Sequence, residues 1–179
     1  MPHYDLFVIG GGSGGVACAR TSAALGAKVG LAEVDRLGGT CVYRGCVPKK
    51  LLMYASHAAE DLCNAESLGW ICRGASFDWA ELRNGVQAEL RRLNGIYDGL
   101  LEKFNVHVYQ NSARFINAKT VQVGREKITA DRFMIATGGS PFLPDFLGRE
   151  HAIISADAFL LEKLPKQMAI IGGGYIALE

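Results

Sequence analysis

Apolar positions along this chain follow two rhythms. Leu6-Phe7-Val8-Ile9 is an unbroken apolar run that stops at the glycine-rich stretch 10–15. Such a run predicts a strand buried on both faces. Residues 16–25 are rich in alanine and end at Gly26, which predicts a helix with a glycine stop. A second apolar run, 28–32, closes at Glu33. Strand, glycine turn, helix and strand make one βαβ unit of about 30 residues. Further on, 51–62 suits a helix. Leu82, Val86, Leu90, Leu93, Ile96, Leu100 and Leu101 place an apolar stripe at helical spacing along 79–104. Gly85, Gly95 and Gly99 weaken that helix. Strands are expected at 105–109, 112–116, 120–123 and 127–136, and Asp35 to Thr40 as a loop. The architecture expected is α/β: a Rossmann-like parallel sheet with a small antiparallel meander.

The opening pattern returns near the end. Residues 168–171 read as a strand and Gly172-Gly173-Gly174 as a second glycine turn. The expected division is therefore a first domain over 1–165 and the start of a second dinucleotide-binding domain over 166–179. Five residues after Gly174 are too few for the helix that should follow, so the second unit reads as cut short.

Composition narrows the functional classes. A net charge of +1 leaves no electrostatic footprint for nucleic acid. No run of about 18 apolar residues suggests a membrane span. The first residues lack the basic and apolar regions of a signal peptide, so a cytoplasmic location is expected. The cysteines are Cys18, Cys41, Cys46, Cys63 and Cys72. An odd number in an unexported chain argues against a structural disulfide framework, and no zinc spacing occurs, so no metal is expected.

Two motifs carry chemistry. Gly10, Gly12 and Gly15 form G-x-G-x-x-G after a strand and before a helix, where the turn accepts a pyrophosphate. Glu33 lies 23 residues after Gly10, where an acid can bind ribose hydroxyls. The second motif is Gly38-Gly39-Thr40-Cys41-Val42-Tyr43-Arg44-Gly45-Cys46-Val47-Pro48-Lys49-Lys50. Cysteines five apart in a regular helix would have Cα atoms ~8–9 Å apart. A disulfide requires less, so a bonded pair would need an irregular turn here. Arg44, Lys49 and Lys50 make the segment basic, which favours thiolate. Two free cysteines in a packed helix are the alternative.

Together these motifs resemble the flavoprotein pyridine nucleotide–disulfide oxidoreductases, in their glutathione-reducing branch. Ile135-Ala136-Thr137-Gly138 is similar to the family strand that leads to the flavin. Gly172 to Glu179 resembles the start of its NADPH domain. The resemblance implies FAD and NADPH as cofactors, glutathione disulfide as substrate and a homodimer serving cellular redox balance. It implies a redox disulfide between Cys41, the interchange sulfur, and Cys46, the sulfur next to the flavin. Lys49 is similar to a lysine near flavin N5, and Glu179 to its paired glutamate. Tyr175 resembles a tyrosine covering the nicotinamide pocket. FAD contacts are implied for Gly10, Gly12, Ser13, Gly14, Gly15, Glu33, Gly39, Thr40, Ala136, Thr137 and Gly138, and for the backbone of Ala113. Substrate contacts are implied for Ser13, Arg20 and Tyr97, with Arg20 a cation suited to a peptide carboxylate. Each has a plainer alternative: Arg20 as a solvated helix residue, Tyr97 as core. The acid/base histidine and most of the NADPH site are implied to lie outside these residues, so the chain alone is not expected to turn over substrate. Sister enzymes remain open, acting on dihydrolipoamide, mercuric ion or trypanothione, as does a noncatalytic flavin-binding role.

Overall fold

The computed structural model describes residues 1–179. They form two compact units, Met1–Tyr43 with Arg91–Ser140, and Arg44–Leu90 with Pro141–Glu179.

The first unit is built on one six-stranded sheet. Its strands are β1 (His3–Ile9), β2 (Val29–Glu33), β3 (His107–Gln110), β4 (Ala113–Asn117), β5 (Thr120–Val123) and β6 (Glu126–Ile135). Their spatial order is β3-β2-β1-β6-β5-β4. β1 is central and parallel to both β2 and β6, and β2 is parallel to β3. β5 runs antiparallel to β4 and to the start of β6. The ten residues of β6 therefore serve two pairings, antiparallel in the meander and parallel beside β1. The α/β sheet with its small meander, expected from the sequence, is present.

Side-chain alternation explains why the second half of β1, Leu6–Ile9, is apolar throughout. Val8, with Leu6 beside it, joins Val16 and Ala19 of α1 (Ser13–Ala24), Leu31, Leu37, Leu101 and Val106 in one core. Phe7 and Ile9 point the other way, into a core completed by Val121, Val123, Ile128 and Ala130 of the meander. The meander thus covers the face that helices do not, and Phe7–Ile9 at the end of β1 are buried on both faces. Tyr4, Phe7, Tyr109 and Phe133 stack in this second core, and the exposed His107 ring lies at its edge, 4.4 Å from that of Tyr109. Gly30 makes room for the stack: a Cβ there would stand 2.8 Å from the Phe7 ring.

The second unit holds α3 (Cys46–Ala65), the short α5 (Ser155–Ala158) and the first part of α4 (Trp79–Lys103), whose remainder belongs to the first unit. Helix α4 runs unbroken through Gly85, Gly95 and Gly99, because its apolar stripe outweighs about 1 kcal/mol lost per glycine. Asp78 caps it, its Oδ1 accepting the N–H groups of Ala80 and Glu81. Trp79 donates from Nε1 to the carbonyl of Leu161. Two expectations fail in this unit. Residues 168–171 form no strand, and none of residues 141–179 is buried. A strand needs a partner ladder, and an apolar run without one stays irregular. Conversely, one helical turn, α6 (Tyr175–Leu178), does form after Gly174. Glycine capping geometry suffices for a single turn. No helix is long and apolar enough to cross a membrane.

Tyr109 offers a pH test of the aromatic core. Burial first, and then its hydrogen bond with Tyr4 at 2.8 Å, push its phenol well above the usual range. Unfolded tyrosine ionises near pH 10, whereas folded Tyr109 keeps its proton. Its contribution is therefore complete below about pH 10 and is lost as pH rises toward the folded value. Tyr109→Phe should cost about 1 kcal/mol at neutral pH. It should also make the alkaline fall of the urea midpoint shallower than in the parent protein.

Candidate dinucleotide and redox site

The turn after β1 is held by backbone contacts. Gly10 donates to the carbonyl of Ala32, and Ala136 donates to that of Ile9, both at 2.8 Å. The ends of β2, β1 and β6 therefore meet at Gly10. Its φ is +105°, and a Cβ there would overlap the carbonyl of Ala136. A Cβ on Gly15 would overlap the carbonyl oxygen of Gly10, so helix α1 rests directly on the strand end. Gly12 and Gly14 face open space, with only the Gly39 Cα near a Cβ on Gly12, at 3.8 Å.

Helix α1 starts at Ser13 with Gly12 as N-cap, no side-chain cap and no acidic residue in its first turn. Its first N–H groups have no intrahelical partner, and the helix dipole adds partial positive charge. This is a cradle for phosphates: uncapped donors, no acidic residue in the helix's first turn, and open space over Gly12 and Gly14. The residues present fit a dinucleotide.

Glu33, half-buried at the end of β2, accepts the Gly11 N–H at 2.6 Å and the Asp35 N–H at 2.7 Å. Gln110, its neighbour across the ladder, sends its side-chain amide to the carbonyl of Asp35. Ala113 begins β4 three residues later. Ala136 is half-buried against Gly10, while Thr137 and Gly138 are exposed beyond it.

The cysteine segment follows the same turn. Gly38 donates to the carbonyl of Gly11 at 2.8 Å and bridges Gly12 in parallel register. Helix α2 (Gly39–Arg44) starts there, so the expected loop 35–40 gives way to helix two residues early. It carries the exposed Thr40 and half-buried Cys41. Gly45 then interrupts the helix, and α3 begins at Cys46. That interruption is the irregularity a five-residue bridge demands, and Cys41 and Cys46 are disulfide-bonded. Cys18, Cys63 and Cys72 are free thiols. Cys46 occupies the first position of a 20-residue helix with no acidic residue in its first turn, a setting that favours thiolate. Pro48 lies in that same turn, where its missing N–H costs nothing.

Lys49 donates from Nζ to Glu179 Oε1 at 2.7 Å, joining residues 130 apart in the chain. Tyr175 is exposed on α6. The second glycine turn copies the first: φ is +120° at Gly172 against +105° at Gly10. Gly174 caps α6 at −76°, 173°, and Gly12 caps α1 at −74°, −170°. Arg20 is exposed on α1, two turns beyond Ser13, and Tyr97 is half-buried against the α1-side core.

Three contributors were not singled out in the sequence. Gly11 and Gly38 act through backbone groups, which no residue type announces. Tyr43 has a buried hydroxyl without a hydrogen-bond partner, and Arg36 lies over its ring at 5.3 Å. Burial raises the Tyr43 phenol pKa.

A segment with a bonded cysteine pair thus docks on a Rossmann turn that fits a dinucleotide. Residues 4–179 match the family model "Pyridine nucleotide-disulphide oxidoreductase", and the chain belongs to that family. It is 46% identical over 176 residues to a glutathione reductase of Nostoc sp., covering 98% of this chain and 38% of that protein. It is 47% identical to one from Burkholderia cepacia, covering 98% and 39%. With the chloroplastic/mitochondrial glutathione reductase of Pisum sativum the identity is 40%, covering 98% and 34%. The chain thus spans about two fifths or less of the length of the curated relatives it matches.

The glycines separate fold from ligand. Gly15→Ala forces a methyl into backbone and should cost about 3 kcal/mol, the upper end of overpacking. Gly12→Ala meets only ordinary contact and should stay within about 0.5 kcal/mol of the parent. Urea unfolding monitored by circular dichroism distinguishes the two.

Proposed function

We propose that this chain is the flavin-binding portion of an NADPH-dependent glutathione-disulfide reductase. The observation that carries the reading is the Cys41–Cys46 disulfide, formed across the break at Gly45, in a segment that starts on the phosphate turn. Ser13, Gly14, Gly15 and Gly12 would hold the pyrophosphate and Glu33 the ribose. Gly39 and Thr40, together with Ala136, Thr137 and Gly138, would border the flavin, and the Ala113 backbone the adenosine. The expected boundary near residue 165, a homodimer and a cytoplasmic location belong to the same reading.

Two electrons, which a flavin held on the glycine turn would supply from NADPH, convert the Cys41–Cys46 disulfide to two thiolates. The Cys41 thiolate then attacks one sulfur of glutathione disulfide, forms a mixed disulfide and releases one glutathione thiolate. Cys46 attacks the Cys41 sulfur, releases the second glutathione and restores the original bridge. Thiolate attack of this kind is how disulfides exchange. Once the bridge is open, the start of α3 would favour the thiolate form of Cys46, and Lys49, paired with Glu179, adds positive charge in the same helical turn. Arg20 and Ser13 would receive a glutathione carboxylate, and Tyr97 would line the pocket.

In the full-length protein, Cys41→Ser and Cys46→Ser should each lower NADPH oxidation by glutathione disulfide on the order of a thousandfold or more. Equal or faster turnover with dihydrolipoamide and NAD would replace this reading with that of a sister enzyme. Gly12→Ala, folded as above, should lose flavin on gel filtration that the parent retains. Arg20→Glu should raise KM for glutathione disulfide at least about tenfold with little change in kcat, as expected for a lost charge-assisted contact. An unchanged KM would leave Arg20 a solvated helix residue.

A further inference from the structure

Both oxygens of the Glu33 carboxylate are engaged by the protein itself. Oε2 takes the N–H of Gly11 and Oε1 that of Asp35. Gly11 is buried in the phosphate turn, and its carbonyl accepts the N–H of Gly38. Gly38 is bridged to Gly12, and a Cβ on Gly39 would stand 2.7 Å from the Gly12 Cα. Helix α2 begins at Gly39, and Cys41 is its third residue. One unbroken series of contacts therefore runs from the carboxylate through the Gly11 peptide and Gly38 to the helix that carries a redox sulfur.

We infer that Glu33 is a positioning residue for the redox loop. Its carboxylate fixes the Gly11 peptide and, through Gly38, sets where α2 begins and where Cys41 stands. The inference deepens the flavin reading, in which the same acid meets a ribose, but it acts on the protein's own backbone and operates with no ligand bound. The two tasks are compatible. A carboxylate has about four acceptor positions, and two N–H groups leave room for sugar hydroxyls. A carboxamide cannot do the same, since one oxygen serves one N–H and its NH2 group confronts the other. One of the two N–H groups, that of buried Gly11 or that of Asp35, would then lose its partner.

The test is hydrogen exchange by mass spectrometry on the full-length protein stripped of flavin, comparing the parent with Glu33→Gln and Glu33→Asp. In Glu33→Gln, exchange across 10–12 and 36–41 should accelerate about tenfold or more, while 6–9 and 29–32 stay within about twofold. The rate at which a phosphine reduces Cys41–Cys46 should change in the same variant. Glu33→Asp, with both acceptors one methylene further back, should fall between. Unchanged exchange at 36–41 in Glu33→Gln, with weaker flavin binding, would confine the acid to the ligand and overturn the inference. Faster local exchange with unchanged flavin affinity would uphold it and remove the ribose contact instead. Should Glu33→Gln fail to fold, Glu33→Asp decides: local acceleration at 36–41 supports the role, and parent-like exchange ends it.

Discussion

Helix α1 can approach the end of β1 only because Gly15 presents a bare Cα to the carbonyl of Gly10. That contact brings the uncapped helix start over the strand end. Gly10 meanwhile bonds to β2, and Ile9 receives the N–H of Ala136. Three strand ends and a helix start thus converge on a few backbone atoms. A side chain at either glycine would push the helix away and scatter the donors that a phosphate needs. The apolar cores on both faces of β1 supply the cohesion, but the spacing at this turn decides what the cohesion is used for.

From that turn the structure reaches the chemistry by main-chain bonds. Gly38 docks on Gly11 and Gly12, α2 starts, and Gly45 breaks the helix so that Cys46 returns to Cys41. Backbone contacts transmit position without depending on side-chain rotamers. Electrostatics then follow from the same geometry. The break that allows the disulfide also creates a new helix start, and Cys46 lies on it. The device that shapes the bridge therefore also favours the thiolate released when it opens.

The two glycine turns show how local and tertiary forces divide. Gly172 and Gly174 adopt nearly the dihedrals of Gly10 and Gly12. In the first unit the turn is packed against backbone on several sides. In the second, no residue over 141–179 is buried and the preceding apolar run forms no strand. The dihedral pattern belongs to the glycine-rich sequence itself, whereas the strand requires neighbours with free ladder groups.

Much of the site was legible in the residues. Strict spacing of Gly10, Gly12 and Gly15 after an apolar run has few physical readings, and Glu33 at the next strand end narrows them. Two cysteines five apart, with glycines and basic residues around them, limit the chemistry to thiols. The helix 79–103 was legible despite three glycines because its stripe is long. Other features were invisible because they depend on what the fold brings near. The ion pair of Lys49 with Glu179, across 130 positions, was expected from the family resemblance alone and from nothing in the spacing. Gly30 looks like a weak strand position until the Phe7 ring fills the space above it. Glu33 reads as a ligand group, and only the folded turn shows its carboxylate holding Gly11. By itself the sequence determined periodicity, turn chemistry and the kinds of reactive group. Tertiary structure alone decided which backbone groups meet, because hydrogen bonds between distant peptides carry no residue-specific signal.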